Sequence, residues 1–172
     1  SVAQFIHRKG LDVLLESCKE LPKDYGIYIV GGEPTKEYIS VKEKYKLDNV
    51  HFVGFKTKDK LKEYYLASDL FVLPTREDIW GLVINEAMAC GLPVITTNRC
   101  IAGLELVEDY ENGFIIPVER ENILTQRIDE VLSNEQLKDD MGKASLEKIK
   151  KYTIENMAQK HIEFFNLILK IR

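Results

Sequence analysis

The sequence predicts an α/β protein with a Rossmann-like, doubly wound parallel sheet carrying helices on both faces. Three observations lead there. Short apolar runs alternate with stretches of helical period along the chain. Two of the runs, Leu70–Leu73 and Pro93–Thr96, have the apolar character of strands buried on both faces. The helical stretches between runs are of crossover length, which implies βαβ units.

Each element has its own signal. Val2–His7 reads as a strand, and Leu11, Leu14, Leu15 and Cys18 then recur at helical spacing up to Pro22. Ile27–Val30 is a strand closed by Gly31-Gly32-Glu33-Pro34, and Thr35 is placed to cap a charged helix reaching Leu47. Val50–Val53 is the third strand, ending at Gly54. Lys58–Ser68 is an amphipathic helix with Leu61, Tyr64 and Tyr65 on its apolar side. Trp80–Cys90 is a helix stopped by Gly91, Phe114–Ile116 is a last short strand, and everything from Glu121 onward is helical. Tyr64, Tyr65, Met88 and Cys90 read as core. His7 reads as a structural histidine at a strand end.

Composition narrows the function classes. The chain has 172 residues, 45% hydrophobic and 30% charged, which describes one folded domain and not a disordered segment. No apolar run reaches the ~18 residues of a membrane span. With 24 Lys+Arg against 28 Asp+Glu the net charge is −4, the wrong balance for a protein that tracks nucleic-acid phosphates. Cys18, Cys90 and Cys100 are scattered, no CxxC pair exists, and His7, His51 and His161 stand apart. That argues against zinc and for free thiols in a reducing, cytoplasmic compartment. The start at Ser1, followed at once by a strand-like stretch, is expected of a piece of a longer protein.

In a sheet of this kind ligands bind at the carboxyl ends of the strands. The candidate loops are His7–Gly10, Gly31–Pro34, Gly54–Lys58, Pro74–Gly81 and Thr96–Gly103. The most informative stretch is Thr75–Gly91, a polar loop running into a helix. The amides near Gly81, Leu82 and Val83 form a helix N-terminus, which suits an anion, and Gly81 lets a ligand approach the backbone. Asp78 in the loop and Glu86 in the helix are pure acceptors when ionised, which suits hydroxyl groups. A ligand with phosphate in its middle and polyol at both ends, such as a nucleotide-sugar, satisfies both.

Asp78–Gly91 with Leu92-Pro93-Val94-Ile95 resembles the core signature of the family-4 retaining glycosyltransferases, which have the GT-B architecture. The likeness extends through Gly31-Gly32-Glu33-Pro34, with Glu33 where a second glycine belongs. It continues in Val53-Gly54-Phe55, Ala67–Pro74 and Asn112-Gly113-Phe114.

The resemblance implies roles. Glu86 would bind ribose hydroxyls and Asp78 hydroxyls of the transferred sugar, with Glu77 an alternative that breaks the spacing. Trp80, Gly81, Leu82 and Val83 would meet sugar and diphosphate through their amides. Lys9 would bind the diphosphate, and Gly31 and Phe55 would line the donor site, Phe55 flanking the base. The family's companion arginine is Gln4 here, with Arg8 as its candidate substitute. Ile101-Ala102-Gly103-Leu104-Glu105 keeps the family's glutamate but lacks its glycine pair.

The resemblance further implies retaining transfer from a nucleotide diphosphate sugar without a metal cofactor. Cell-surface polysaccharide or lipopolysaccharide synthesis is the setting it suggests, with the full-length protein at the inner face of the membrane. Residues 1–172 would then be the C-terminal donor domain, inactive alone, with an acceptor-binding N-terminal domain outside the sequence. Residues 152–172 would form a terminal helix directed toward that domain. On its face lie Ile154, Met157, His161, Phe165 and Ile168, with a second stripe of Phe164, Leu167 and Ile171. A non-catalytic nucleotide-binding module and a nucleotide-sugar epimerase are the alternatives. Base, sugar, acceptor and linkage are left open.

Overall fold

A computed structural model describes residues 1–171, with side chains through residue 169. The elements are α1 (Leu11–Ser17), β1 (Ile27–Val30), α2 (Lys36–Lys44), β2 (Val50–Val53), α3 (Lys58–Leu66), β3 (Phe71–Leu73) and α4 (Leu82–Ala89). They continue as β4 (Val94–Thr97), α5 (Ile101–Leu106), β5 (Gly113–Ile116), α6 (Glu121–Leu132), α7 (Glu135–Ile149) and α8 (Ile154–Ile171). The strand–helix alternation expected from the sequence is present.

All strand pairing is parallel, in two ladders, β1–β2 and β3–β4–β5. Their buried residues, among them Ile29, Leu73, Val94, Ile95 and Phe114, pack with Leu11, Leu14, Leu15, Ile84, Met88 and Leu106 from the helices in one core. α1 packs on α6, and α4 packs on α5 and α7. Between β1 and β3 lies a cavity of about 360 Å³, edged by Tyr28 and Val72.

Several boundaries move, each for a physical reason. Val2–His7 is not a strand. It makes a single bridge, Val2 to Val30, and then turns into a 3-10 helix over His7–Lys9. Phe5 causes the turn by packing inward, edge-on to Tyr38 and Phe52 with ring centroids 5.3 and 5.2 Å away. α2 ends at Lys44, since Lys46 takes a left-handed conformation with φ 50°. Thr35 is its N-cap residue but makes no side-chain capping bond. α3 ends at Leu66 instead of Ser68, whose hydroxyl donates back to the Tyr64 carbonyl. α4 starts at Leu82, two residues after Trp80, because Gly81 has φ 91°. Tyr65 and Met88 are core, as expected, whereas Tyr64 and Cys90 are only half-buried.

α8 stands away from the core. Ile154, Met157, Phe164, Phe165, Leu167 and Ile168 are all exposed, so the two apolar stripes have no partner among the described residues. Ile171, assigned to the second stripe, lies outside the residues whose side chains are described.

The strand ends are brought into register by contacts that bear directly on the site. Gly10 has φ 66°, and a Cβ there would come within 2.0 Å of the Pro74 carbonyl oxygen. Glycine is thus required both for the conformation and for the approach of the two loops. Arg76 then clamps them. It donates to both oxygens of Asp12 at 2.8 and 2.7 Å, to the His7 carbonyl at 2.6 Å, and also to Glu119.

Two expectations follow. Gly10→Ala should cost about 3–5 kcal/mol, combining left-handed strain with a backbone clash, read as a lowered denaturation midpoint with an unchanged slope. Burial opposes ionisation of Asp12, yet the hydrogen bonds and charge of Arg76 outweigh it and hold that carboxyl below its ordinary value. The contribution of this pair is therefore present above about pH 4 and lost as pH falls through the depressed folded value. Acid titration of stability should be shallower in Asp12→Asn than in the wild type.

Candidate functional site

Three loops meet over the carboxyl ends of the strands: Gln4–Gly10, Pro74–Gly81 after β3, and Asn98–Cys100 after β4. Buried threonines fasten them from beneath. Thr75 Oγ1 lies 2.9 Å from the carbonyls of both Arg8 and Glu77, which share its single proton, and Thr97 Oγ1 donates to the Thr75 carbonyl at 2.6 Å. Main-chain bonds complete the join: Arg76 N–H to the Arg8 carbonyl at 2.8 Å and Asp78 N–H to the Arg99 carbonyl at 3.0 Å. Returning bonds run from Ile101 N–H to the Asp78 carbonyl at 3.1 Å and from Ala102 N–H to that of Trp80 at 2.9 Å.

This bracing carries Lys9 and Asp78 into contact. Lys9 Nζ lies 2.5 Å from Asp78 Oδ2, with side-chain exposures of 16% and 11%. The pair sits at the tip of α4, since a Cβ on Gly81 would be 3.6 Å from the Asp78 carboxyl carbon. The N–H groups of Gly81, Leu82 and Val83 have no partner among the described residues. They form the positive end of the helix dipole. Arg8 adds a second cation, its guanidinium donating to the Glu77 carbonyl at 3.0 Å. Gln4, at the position of the missing arginine, is exposed. Glu77 is exposed and serves here through its carbonyl, while Asp78 holds the inward position.

Glu86 lies four residues beyond Leu82 (86 − 82 = 4), so the two share one face of α4, and both are exposed. Tyr65 Oη donates to Glu86 Oε2 at 2.9 Å. Trp80 is half-buried, and its indole N–H donates to Asn85 Oδ1 at 3.0 Å. Cys100 supports the tip from below, its Sγ 3.0 Å from where a Gly81 Cβ would be. Its thiol pKa is raised, chiefly by burial.

The remaining predicted residues, Phe55 and Gly31, lie beyond the ends of β2 and β1. Phe55 is 82% exposed beyond β2, and Ile79 and Leu82 are exposed beyond β3. Gly31 is fixed by packing, for a Cβ there would lie 2.0 Å from the Ala3 carbonyl oxygen. The segment beginning at Ile101 is helix α5, not loop, and starts close behind the α4 tip. The 360 Å³ cavity between β1 and β3 does not touch Lys9, Asp78 or Glu86. Among the described residues no three His, Cys, Asp or Glu side chains gather where a metal could sit, and no helix is long and apolar enough to cross a membrane.

Sequence reasoning missed Arg76, Asn85 and the hydroxyl of Tyr65. Arg76 stood beside the recognised motif, so its charge next to the predicted loop was the available signal. Tyr65 was assigned correctly to the core, but nothing in a single sequence reveals the partner of its hydroxyl.

The open amides of the α4 tip thus lie beside the paired Lys9, with the exposed Glu86 carboxylate one turn along the helix. The chain is 31% identical over 156 residues to an uncharacterized glycosyltransferase of Methanocaldococcus jannaschii, a match covering 90% of this chain and 43% of the relative. It is 33% identical over 141 residues to the putative colanic acid biosynthesis glycosyltransferase WcaL of Escherichia coli, covering 74% and 34%. The chain thus spans less than half the length of these relatives. Among solved structures, Anabaena HepE in complex with UDP superposes with a TM-score of 0.88 at 22% identity, over 96% of this chain and 48% of that one. That likeness shows the fold, one half of a GT-B architecture. Residues 1–148 match the family model described as glycosyl transferases group 1, and the chain belongs to that family.

Proposed function

We propose that this chain is the donor-binding half of a retaining, family-4-type glycosyltransferase that transfers a sugar from a nucleotide diphosphate sugar to an acceptor. The observation that carries the reading is the Lys9–Asp78 pair at the open amide tip of α4, with Glu86 exposed on the same helix. The name of HepE's complex with UDP and the name of WcaL, for colanic acid biosynthesis, support a nucleotide donor and a cell-surface polysaccharide setting.

The chemistry follows from charge. As the sugar–phosphate bond breaks, negative charge grows on the departing diphosphate and positive charge on the anomeric carbon. Lys9, Arg8 and the amides of Gly81, Leu82 and Val83 face the diphosphate, a preorganised electrostatic environment that would serve in place of a divalent metal. Asp78 does two things. Through Oδ2 it holds the Lys9 ammonium at the helix tip, and Oδ1 accepts from a hydroxyl of the sugar, fixing its orientation. Glu86 accepts from the ribose hydroxyls. Trp80 and Phe55 line the approach, and the exposed Phe55 ring offers a face to the base.

The acceptor site belongs to an N-terminal domain outside these residues, and the exposed stripes of α8 are directed toward it. The free thiols of Cys18, Cys90 and Cys100 fit a reducing, cytoplasmic location, with the full-length protein at the inner membrane face.

A thermal-shift panel of UDP-, GDP- and ADP-sugars on the 172-residue chain tests the reading, since a ligand that binds only the folded state raises its stability. One nucleotide series should raise the melting temperature at millimolar concentration. Lys9→Ala should weaken that series about 10- to 100-fold, the loss of a charge-assisted bond. No shift with any of the three, or equal shifts in Lys9→Ala and wild type, would overturn the donor site. The isolated chain should show little transfer. Turnover equal to that of a two-domain relative would refute the half-site assignment.

A further inference from the structure

Glu86 is exposed, yet its carboxylate is not free to turn. The Tyr65 phenol, on the neighbouring helix α3, donates to Oε2 at 2.9 Å. Tyr65 itself is 4% exposed and packs on Phe71 of β3 with ring centroids 5.8 Å apart. The donor is therefore fixed by the core while its acceptor faces solvent. Burial first, and then the adjacent Glu86 carboxylate, raise the phenol's pKa, so the proton stays on Tyr65 and the direction of the bond does not change with ordinary pH.

An exposed glutamate loses rotamer freedom when it grips a ligand. With Oε2 already engaged, much of that ordering precedes binding, and Oε1 is presented in one direction.

We propose that Tyr65 is a positioning residue: its hydroxyl presets Glu86 to accept the paired 2′ and 3′ hydroxyls of a nucleoside diphosphate. This rests on the assignment of Glu86 to ribose made above. Tyr65 makes no contact with the ligand. It acts through Glu86, so its influence is confined to ligands that carry the diol.

The test compares UDP, GDP and ADP with their 2′,3′-dideoxy counterparts. Each is titrated by calorimetry into the wild-type chain, Tyr65→Phe, Glu86→Ala and the double variant, after cooperative melting is verified for each. Glu86→Ala should weaken the bound ribonucleotide about tenfold or more and leave its dideoxy form unchanged. Tyr65→Phe should weaken the ribonucleotide roughly fivefold, again sparing the dideoxy form. The double variant should bind no worse than Glu86→Ala alone, the sign of two residues acting as one unit.

If Glu86→Ala behaves as expected but Tyr65→Phe binds the ribonucleotide as the wild type does, the positioning role is overturned and the ribose assignment stands. Equal weakening of both forms by Tyr65→Phe assigns the residue to packing and also overturns the proposal. If Glu86→Ala does not distinguish the two forms, or no nucleotide binds, the ribose assignment itself fails and the role of Tyr65 falls with it.

Discussion

The ion pair between Lys9 and Asp78 is the contact around which the site is organised. It joins residues 69 positions apart, at the mouth of a helix whose first amides have no partner among the described residues. Asp78 is 8% exposed, and a carboxylate so placed is costly unless paired. Lys9 answers its charge, and the positive end of α4 answers it again. In return the ammonium is held beside the open amides of the α4 tip. The pair is thus a placeholder of charge: the site keeps a cation at its centre without leaving it unneutralised.

That contact is possible only because the loops around it are rigid. Gly10 lets the chain pass against the Pro74 carbonyl, and Thr75 and Thr97 replace water with buried hydrogen bonds beneath the crossing. Arg76 binds Asp12, Glu119 and the His7 carbonyl together, so the start of α1 cannot drift from the end of β3. None of these residues needs to touch a ligand. Their effect is to convert flexible strand-end loops into a scaffold whose polar groups are satisfied internally.

The regular part of the fold was legible because it is written in apolar periodicity. β1, β2 and the core of β3, β4 and β5 fall where apolar runs stand, and Gly91, with φ 79°, stops α4 as its position suggests. The segment after Val2 was misread for the same reason. Ala3, Phe5 and Ile6 are apolar enough for a strand, but Phe5 is recruited by Tyr38 and Phe52, residues 33 and 47 positions away (38 − 5 and 52 − 5). Asp78, Glu86 and Lys9 were legible as members of a motif. Their geometry was not, because the Lys9–Asp78 and Tyr65–Glu86 contacts exist only between distant parts of the chain. Local sequence announces burial and helix ends well. It is silent about which buried hydroxyl faces which carboxylate.

Trp80 has a use that its sequence position alone would not suggest. It is the chain's single tryptophan, half-buried at the α4 tip, with its indole nitrogen tethered to Asn85. All indole emission from the folded chain therefore originates beside the Lys9–Asp78 pair. Occupancy of that spot can be followed optically with no label attached, and signals from the rest of the domain contribute no background from this chromophore.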